Sequence, residues 1–302
     1  MNSSSLSSNF ARALQAAQDA AGAQQHPTHT LYVVATPIGN LADIGLRALH
    51  VLGLADSIAC EDTRHTQQML RAYGLERPAL LAVHQHNEQE AAQAVLDRLA
   101  QGQRVAYVSD AGTPAISDPG ARLVQVVRAA GFRIMPLPGA SSVTTLLSAA
   151  GMTGDGFVFT GFLSSKTAER EQAVQAIACE SRAVVLLEAP HRIAALAQAL
   201  APLGERRITV GRELTKQFEQ IETLSATALP GWLTEKPEHQ RGEFVLVVHD
   251  QPVAKNDREG ELILQCLLTE LPLKTAVKLA AEISGEPRNA LYERALALKK
   301  GD

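Results

Sequence analysis

The chain has 302 residues, of which 46% are hydrophobic and 20% charged, and its net charge is −4. This composition is typical of a globular protein and excludes a polycation, so any contact with nucleic acid needs a local basic patch. The three cysteines (Cys60, Cys179 and Cys266) are far apart, and no apolar run is long enough to span a membrane. These facts exclude a disulfide framework, a Cys-based metal motif and a transmembrane protein.

The first 28 residues differ in composition from the rest of the chain. Ser and Asn dominate the first ten residues, and Ala and Gln dominate the next fifteen. A secretory signal is excluded, because no basic segment is followed by an apolar core. We therefore predict a disordered tail over residues 1–28, containing a fraying helix.

An N-terminal α/β domain is predicted over residues 29–152. Apolar runs typical of strands alternate there with helical patterns, which indicates a parallel sheet with right-handed crossovers. The predicted strands are Leu31–Ala35, Ser57–Cys60, Leu80–Val83, Val105–Ser109 and Phe132–Leu137.

A second α/β domain is predicted over residues 153–250. Its predicted strands are Phe157–Phe162, Ala183–Glu188, Ile208–Gly211 and Gly242–Val248. A small helical unit is predicted over residues 251–302, with helices over Leu262–Leu271, Lys274–Ile283 and Asn289–Lys300. The size of this unit is typical of a helical bundle or a helix-turn-helix.

The segment VAYVSDAGTPAISDPG, residues 105–120, is the strongest candidate for a ligand-binding loop. It joins a strand to a connection that is longer than most and that contains two Asp, two Pro and two Gly. Ligands of open α/β sheets bind past the carboxyl ends of the strands. Other polar loops also follow strands, namely TPIGN, EDTRHT, PGASS, EAPHR and GRELTKQFE. If the strands are parallel, these loops line one crevice.

Several of these loops have a structural alternative. TPIGN is equally compatible with a plain turn, and EDTRHT (Glu61–Thr66) with either the source of a general base or a capped helix start. PGASS could bind an anion at a helix N-terminus, or Ser141 could simply cap that helix. His84–Asn87 resembles a metal pair but lacks further ligands, so we predict no metal site. The chain also lacks the GxGxxG and P-loop motifs.

Eight motifs taken together resemble the tetrapyrrole-methylase superfamily. They are ATPIGNLADI, ACEDTRHT, VSDAGTPAISDPG, PLPGASS, FTGFL, EAPHRI, GRELTKQFE and GEFVLVV, and they occur in this order. Within the superfamily they are similar to the bacterial small-subunit rRNA (cytidine-2′-O-)-methyltransferases. The resemblance covers the chain from about Leu31 to its end. Ala35 and Ala189 depart from the residues common in that group, Gly and Ser, and neither change removes a functional side chain.

The resemblance implies that S-adenosylmethionine binds in the cleft between the two α/β domains. Pro37 and Gly39 would in addition let the backbone approach a ligand closely. The residues carried over from the family by position are Asp110, Ala111, Gly112, Ile116, Ser117, Asp118, Ser141, Ser142, Phe162, Leu163, Glu188, Ala189, Gly242 and Glu243.

Methyl transfer to a ribose hydroxyl needs alignment of the reactants and benefits from a base. We predict Asp62 as that base, with Arg64 holding a phosphate or orienting the acid. His65, His86 and Glu188 are reserve candidates for the base.

The helical unit is predicted to dock RNA, because basic residues outnumber acids from Leu271 to Lys300. The predicted contacts are Lys274, Lys278, Arg288 and Arg294. The alternative is a bundle that only stabilises the fold or a dimer.

The predicted function is thus S-adenosylmethionine-dependent 2′-O-methylation of a cytidine ribose in the decoding region of 16S rRNA. The resemblance implies 16S rRNA in the small ribosomal subunit as partner, a homodimer and a cytoplasmic location. Two alternatives remain at this stage: methylation of a tetrapyrrole or another small molecule, and a non-catalytic RNA-binding assembly protein.

Overall fold

The computed structural model describes residues 3–75, 78–83, 88–118, 120–154, 156–251 and 257–300. The chain divides into two compact units, residues 1–250 and residues 251–302. The first unit contains two five-stranded sheets with their helices, and the second contains three helices. The α/β fold class is therefore confirmed.

The first sheet is entirely parallel, with the strand order β3-β2-β4-β1-β5. Its strands are β1 (Thr30–Val34), β2 (Ser57–Cys60), β3 (Ala79–Ala82), β4 (Arg104–Val108) and β5 (Arg133–Leu137). Its helices are α2 (Leu46–Leu54), α3 (Thr63–Tyr73), α4 (Glu88–Ala100), α5 (Ala121–Ala129) and α6 (Ser142–Ala149). Because all five strands run the same way, the loops that follow them open at one edge of the sheet.

Both faces of the first sheet are covered by apolar side chains. In β1 all five residues are buried, and successive side chains point to opposite faces. Leu31 packs in the cluster that contains Leu99 and Leu123, whereas Tyr32 packs in the cluster on the other face. This burial on both sides explains why the strand is an apolar run without polar alternation.

The second sheet is mixed, with the order β6-β7-β10-β8-β9. Its strands are β6 (Phe157–Phe162), β7 (Ala183–Glu188), β8 (Arg207–Arg212), β9 (Gln220–Ser225) and β10 (Phe244–Val248), and its helices are α7 (Thr167–Cys179), α8 (Ile193–Leu200) and α9 (Leu229–Glu235). Only β6 and β7 pair in parallel, and the other three pairings are antiparallel.

The direction of β10 decides where GEFVLVV contributes to the sheet edge. Phe244, the first residue of β10, pairs with Glu188 at the end of β7 and with Arg212 at the end of β8. Gly242 and Glu243 therefore reach the ligand-binding edge from the start of a strand. Strand β9 and helix α9 were not predicted from the sequence. Strand β9 lacks an apolar run, because it is a polar, partly exposed edge strand.

Residues 3–21 form helix α1 (Ser3–Ala21), where the sequence predicts a disordered tail that contains a fraying helix. Ala17 is buried in the first-domain core, and the ring of Phe10 meets Tyr73 edge-to-face at 5.0 Å. The Tyr73 hydroxyl in turn donates to the Leu41 carbonyl at 2.7 Å. Small alanines allow this helix to pack closely, and composition alone does not reveal its partner surface.

The second unit contains helices α10 (Asp257–Glu270), α11 (Leu273–Ser284) and α12 (Arg288–Lys300). Leu264, Val277 and Leu291 bring one buried apolar residue from each helix into a common core. Gly285 has a φ of +68° at the end of α11, a conformation that glycine adopts without strain. None of the described helices is long and apolar enough to cross a membrane.

Candidate active site

Two adjoining cavities open where the loops of the two sheets meet. Counted together with the adjoining space that is open to solvent, the smaller cavity spans about 720 Å³ and the larger about 1810 Å³. Nine of the predicted ligand-binding residues line the smaller cavity, namely Ala111, Gly112, Ile116, Ser117, Asp118, Ser141, Ser142, Phe162 and Glu243. The structure therefore brings together residues that lie more than 130 positions apart in the sequence.

The long loop after β4 is held against the loop after β1 by backbone hydrogen bonds. Thr36 and Gly112 exchange N–H to carbonyl bonds of 2.9 and 3.0 Å, and the Thr36 hydroxyl donates to the Ser109 carbonyl. The Thr113 hydroxyl reaches the Ala140 carbonyl of the PGASS loop. Three strand-end loops are thus joined into one rigid wall of the smaller cavity.

Gly120 ends this loop in a conformation that only glycine adopts readily, with a φ of +120°. A Cβ atom at this position would overlap the ring of Tyr107, which is fully buried in β4. The close approach lets α5 begin directly over the strand that the loop has just left.

Apart from Thr113, the rest of the smaller cavity is formed by apolar side chains that were not predicted from the sequence. In the sequence they are indistinguishable from core residues, since four belong to strands and helices and the other two, Ile38 and Leu214, are buried loop residues. They are Ile38, Val143, Phe159, Leu187, Leu214 and Val245. Ser141 begins α6 without a side-chain capping bond. Its hydroxyl therefore does not serve the capping alternative.

Carboxyl groups concentrate beside the smaller cavity. The Asp110 carboxylate accepts the Asp62 backbone N–H at 3.1 Å, which ties the loop after β4 to the loop after β2. Burial, and then the charge of Asp110, raise the pKa of Asp118. Burial, followed by Asp110, Asp118 and Asp62, raises the pKa of Glu61. Such a negative region favours a ligand that carries positive charge.

Asp62 caps helix α3, as the structural alternative for EDTRHT predicts. Its carboxylate accepts the backbone N–H of Arg64 at 2.8 Å and that of His65 at 3.4 Å. These hydrogen bonds, the Arg64 one foremost, lower the pKa of Asp62. A lowered pKa makes this carboxylate a weaker base, so the geometry favours a capping role over the predicted catalytic one.

The larger cavity is lined by long polar and cationic side chains. Arg64 and Arg71 project from α3, and Lys216 faces them from the loop after β8. Arg64 keeps 92% of its side chain exposed, 3.6 Å from Asp62. Pro37 and Gly39, predicted to contact the methyl donor, line this larger cavity instead, as does Asp110.

Leu163, Glu188 and Ala189 line neither cavity, and their role as ligand contacts stays a prediction. The buried Glu188 carboxylate pairs with Arg192 at 3.1 Å and accepts the Ala189 N–H at 2.9 Å. Arg192 also donates to the Leu163 carbonyl. The EAPHR motif therefore braces the segment after β6 against the start of α8.

A charged network in the loop after β8 was not assigned from the sequence, although GRELTKQFE was recognised as a charged cluster. The Lys216 ammonium lies 2.9 Å from Glu213 and 3.1 Å from Glu243. Burial opposes the charge of Lys216, but these two hydrogen bonds raise its pKa overall. Gly242, also predicted as a ligand contact, is instead packed against the Glu213 side chain.

The four predicted RNA contacts differ in their surroundings within the helical unit. Lys274 and Arg288 are exposed, and Lys278 is exposed 3.9 Å from Glu282. Arg294 pairs at 2.8 Å with Glu286, whose side chain is buried. Arg294 therefore stabilises the bundle, and the other three predicted RNA contacts are exposed.

The described residues contain no group of three or more His, Cys, Asp or Glu side chains placed to hold a metal ion. His84–Asn87, including the reserve base His86, lie outside the described residues.

Two family models match the chain. The tetrapyrrole (corrin/porphyrin) methylases match residues 30–230, and the RsmI C-terminal HTH domain matches residues 254–299. Proteins named ribosomal RNA small subunit methyltransferase I are similar over most of the chain. The Escherichia coli O157:H7 relative is 46% identical and covers 88% of this chain and 94% of its own. The Neisseria meningitidis serogroup B relative is 45% identical, with coverages of 89% and 94%.

Solved structures share the fold at much lower identity. A uroporphyrin-III-C-methyltransferase from Thermus thermophilus is 20% identical, with a TM-score of 0.52, over 72% of this chain and 94% of its own. A diphthine synthase is 14% identical, with a TM-score of 0.55, over 73% and 90%. At these identities the likeness concerns the fold alone.

Proposed function

Because the chain belongs to the tetrapyrrole (corrin/porphyrin) methylase family, we propose that it methylates a cytidine ribose 2′-oxygen in the decoding region of 16S rRNA. The chain is an S-adenosylmethionine-dependent methyltransferase, as the sequence predicts. The observation that carries the RNA proposal is the larger cavity, whose cationic side chains adjoin the smaller one. It is supported by the names of the relatives that are about 45% identical.

The lining of the smaller cavity fits S-adenosylmethionine in chemistry. Phe159 and Leu187 offer an apolar wall for an adenine ring, and Ser141 and Ser142 offer hydroxyls. The carboxyl groups beside the cavity suit a cationic ligand. When bound, S-adenosylmethionine supplies an electrophilic methyl group on its sulfonium.

The larger cavity is proposed to hold the acceptor nucleotide and its flanking phosphates. Arg64 and Arg71 project into it from one helix, and guanidinium groups bind phosphate oxygens with paired hydrogen bonds. Arg64 thus retains its predicted role as a phosphate contact. The catalytic role predicted for Asp62 stays a prediction.

The helical unit is proposed to add further RNA contacts through Lys274, Lys278 and Arg288. Contacts of this kind give affinity and register without reading sequence. We also propose that the partner is 16S rRNA within the small ribosomal subunit, that the chain works as a homodimer, and that it is cytoplasmic. The match of residues 254–299 to the RsmI C-terminal HTH domain supports the RNA contact.

A parallel transfer assay tests the proposed function. Labelled methyl groups are offered with assembled small subunits, naked 16S rRNA and uroporphyrinogen as separate acceptors. We expect incorporation into the ribosomal acceptors, located on a ribose 2′-oxygen by nuclease digestion. Incorporation into uroporphyrinogen alone would favour the small-molecule alternative, and donor binding without any turnover would favour a non-catalytic RNA-binding protein.

A further inference from the structure

We propose that Glu243 accepts the proton of the acceptor hydroxyl and that Lys216 is the positioning residue for its carboxylate. The inference rests on the proposed function, because it assumes a hydroxyl acceptor. Ile38, Ala111 and Glu243 are the described residues that line both cavities. Of these three, only Glu243 has an ionisable side chain, and it lies where a donor in one cavity meets an acceptor in the other.

The Glu243 side chain is accessible and yet held. It keeps 74% of its surface exposed, and one carboxylate oxygen accepts from the Lys216 ammonium at 3.1 Å. A carboxylate has two oxygens with about four lone-pair sites, so this contact leaves capacity to accept another proton. A base must reach its substrate within hydrogen-bond distance, and an exposed side chain at the junction is able to do so.

Lys216 is itself fixed from two sides. Its ammonium donates to Glu213 at 2.9 Å, and its side chain packs against the backbone of Gly39, in the loop after β1. Because Lys216 is only 28% exposed, few other conformations are open to it. The lysine thus joins Glu243 to the wall of the larger cavity.

The backbone of Glu243 is anchored by the same network. Its N–H donates to the Glu213 carboxylate at 3.0 Å, and Glu213 lies so close to Gly242 that a Cβ atom there would overlap its side chain. Glu213 has a φ of +52° that side chains rarely adopt, whereas Gly242 takes its φ of +89° without strain. Backbone strain of the kind seen at Glu213 is typical of functional sites.

The proton transfer balances without any further reagent. A bond forms between the acceptor oxygen and the methyl carbon as the carbon–sulfur bond breaks, and the electron pair of that bond goes to sulfur. The hydroxyl proton passes to a Glu243 oxygen and then to water. Asp62, whose carboxylate already accepts two backbone N–H bonds, is less available for this step.

The first test replaces Glu243 in the full chain and uses whichever acceptor the parallel assay identifies. Glu243→Gln keeps the shape and the hydrogen-bonding capacity but cannot accept the proton. We expect kcat to fall about 100-fold while KM for the acceptor changes less than about threefold. The matched control is Glu222→Gln on the exposed edge strand β9, which should retain wild-type kcat.

Chemical rescue separates a base from a structural carboxylate. Because Glu243 is exposed, acetate added to Glu243→Ala should restore part of the lost kcat in proportion to its concentration. The sequence predicts Glu243 as a donor contact, whereas a base that faces the acceptor contributes little to donor affinity. The affinity for S-adenosylhomocysteine, measured by calorimetry, should therefore stay within about threefold of wild type in both variants. Loss of that affinity would show that Glu243 binds the donor instead, and would overturn the proposal.

The second test addresses the positioning role of Lys216. Lys216→Gln should lower kcat between about tenfold and 100-fold through misplacement of Glu243, and Lys216→Arg should recover most of it. Equal loss of kcat in Lys216→Gln and Lys216→Arg, with a lowered melting temperature, would reduce Lys216 to a structural contact.

The assignment of Glu243 as the base has its own decisive outcome. A kcat within about threefold of wild type in Glu243→Gln would overturn it.

Discussion

The two cavities differ in what forms their walls, and the difference indicates what each can bind. The smaller is built from backbone turns, hydroxyls and buried apolar side chains, held by bonds such as the Thr36–Gly112 pair. The larger is lined by long side chains from α3 and by Lys216, several of which extend into solvent. Rigid walls suit one small ligand of fixed shape, whereas mobile cationic side chains suit a polymer that arrives in many orientations.

The rigid wall should break most completely at Gly120. In Gly120→Ala the positive φ and the overlap with Tyr107 should together cost about 2–5 kcal/mol of folding free energy and displace the loop after β4. We expect the affinity for S-adenosylhomocysteine to fall about 100-fold, measured by calorimetry on folded protein.

The matched control for this substitution is Gly231→Ala. Gly231 lies in α9, a Cβ atom added to it would meet no other atom within 4 Å, and alanine favours a helix by about 0.5–1 kcal/mol. It should bind S-adenosylhomocysteine as wild type does. Normal binding of S-adenosylhomocysteine by Gly120→Ala would show that the loop after β4 adapts and that the wall of the smaller cavity is not rigid.

Loss of the arginines of the larger cavity should affect RNA binding and not donor binding. In the double variant Arg64→Gln, Arg71→Gln we expect KM for the RNA acceptor to rise about tenfold. The slope of the logarithm of the RNA-binding constant against the logarithm of the salt concentration should become less steep by about 1.4. The affinity for S-adenosylhomocysteine should not change, because neither residue lines the smaller cavity. The control is Arg182→Gln in the second domain, because Arg182 lines neither cavity. An unchanged salt slope in the double variant would show that Arg64 and Arg71 do not contact phosphates.

The helical unit offers a third surface for comparison. Replacing Lys274, Lys278 and Arg288 together by Gln should weaken RNA binding about fivefold at moderate salt, with kcat unchanged at saturating RNA. Arg294→Gln should instead lower the thermal stability of the unit, since it breaks the pair with buried Glu286. Unchanged affinity of the triple variant across a salt series would leave the unit as a stabilising bundle.

The smallest effect is expected at Asp62. Asparagine caps helices about as well as aspartate, so Asp62→Asn should keep helix α3 in place and kcat within about threefold of wild type. The decisive measurement compares kcat of Asp62→Asn with kcat of Glu243→Gln by steady-state kinetics. A fall of about 100-fold at Asp62 with none at Glu243 would restore the assignment first predicted from the sequence.

Much of the site could be predicted because its loops carry distinctive local chemistry. The Asp-, Pro- and Gly-rich segment after β4 is unlike an ordinary turn, and Gly112, Ser117 and Asp118 do line the smaller cavity. The apolar lining could not be predicted in the same way, since Phe159 and Leu187 have the pattern of core strands. The packing of α1 could not be predicted, because it depends on contacts with a distant segment, such as that of Phe10 with Tyr73.

The sequence by itself determined the alternation of strands and helices, the helical character of the last unit, and which loops hold polar chemistry. These properties depend on side-chain periodicity and on residues close together in the chain. Only the tertiary structure decided that β10 runs antiparallel, that Arg192 reaches the Leu163 carbonyl, and that Glu243 joins the two cavities beside Lys216. Those outcomes depend on pairing between distant segments, which local patterns do not encode.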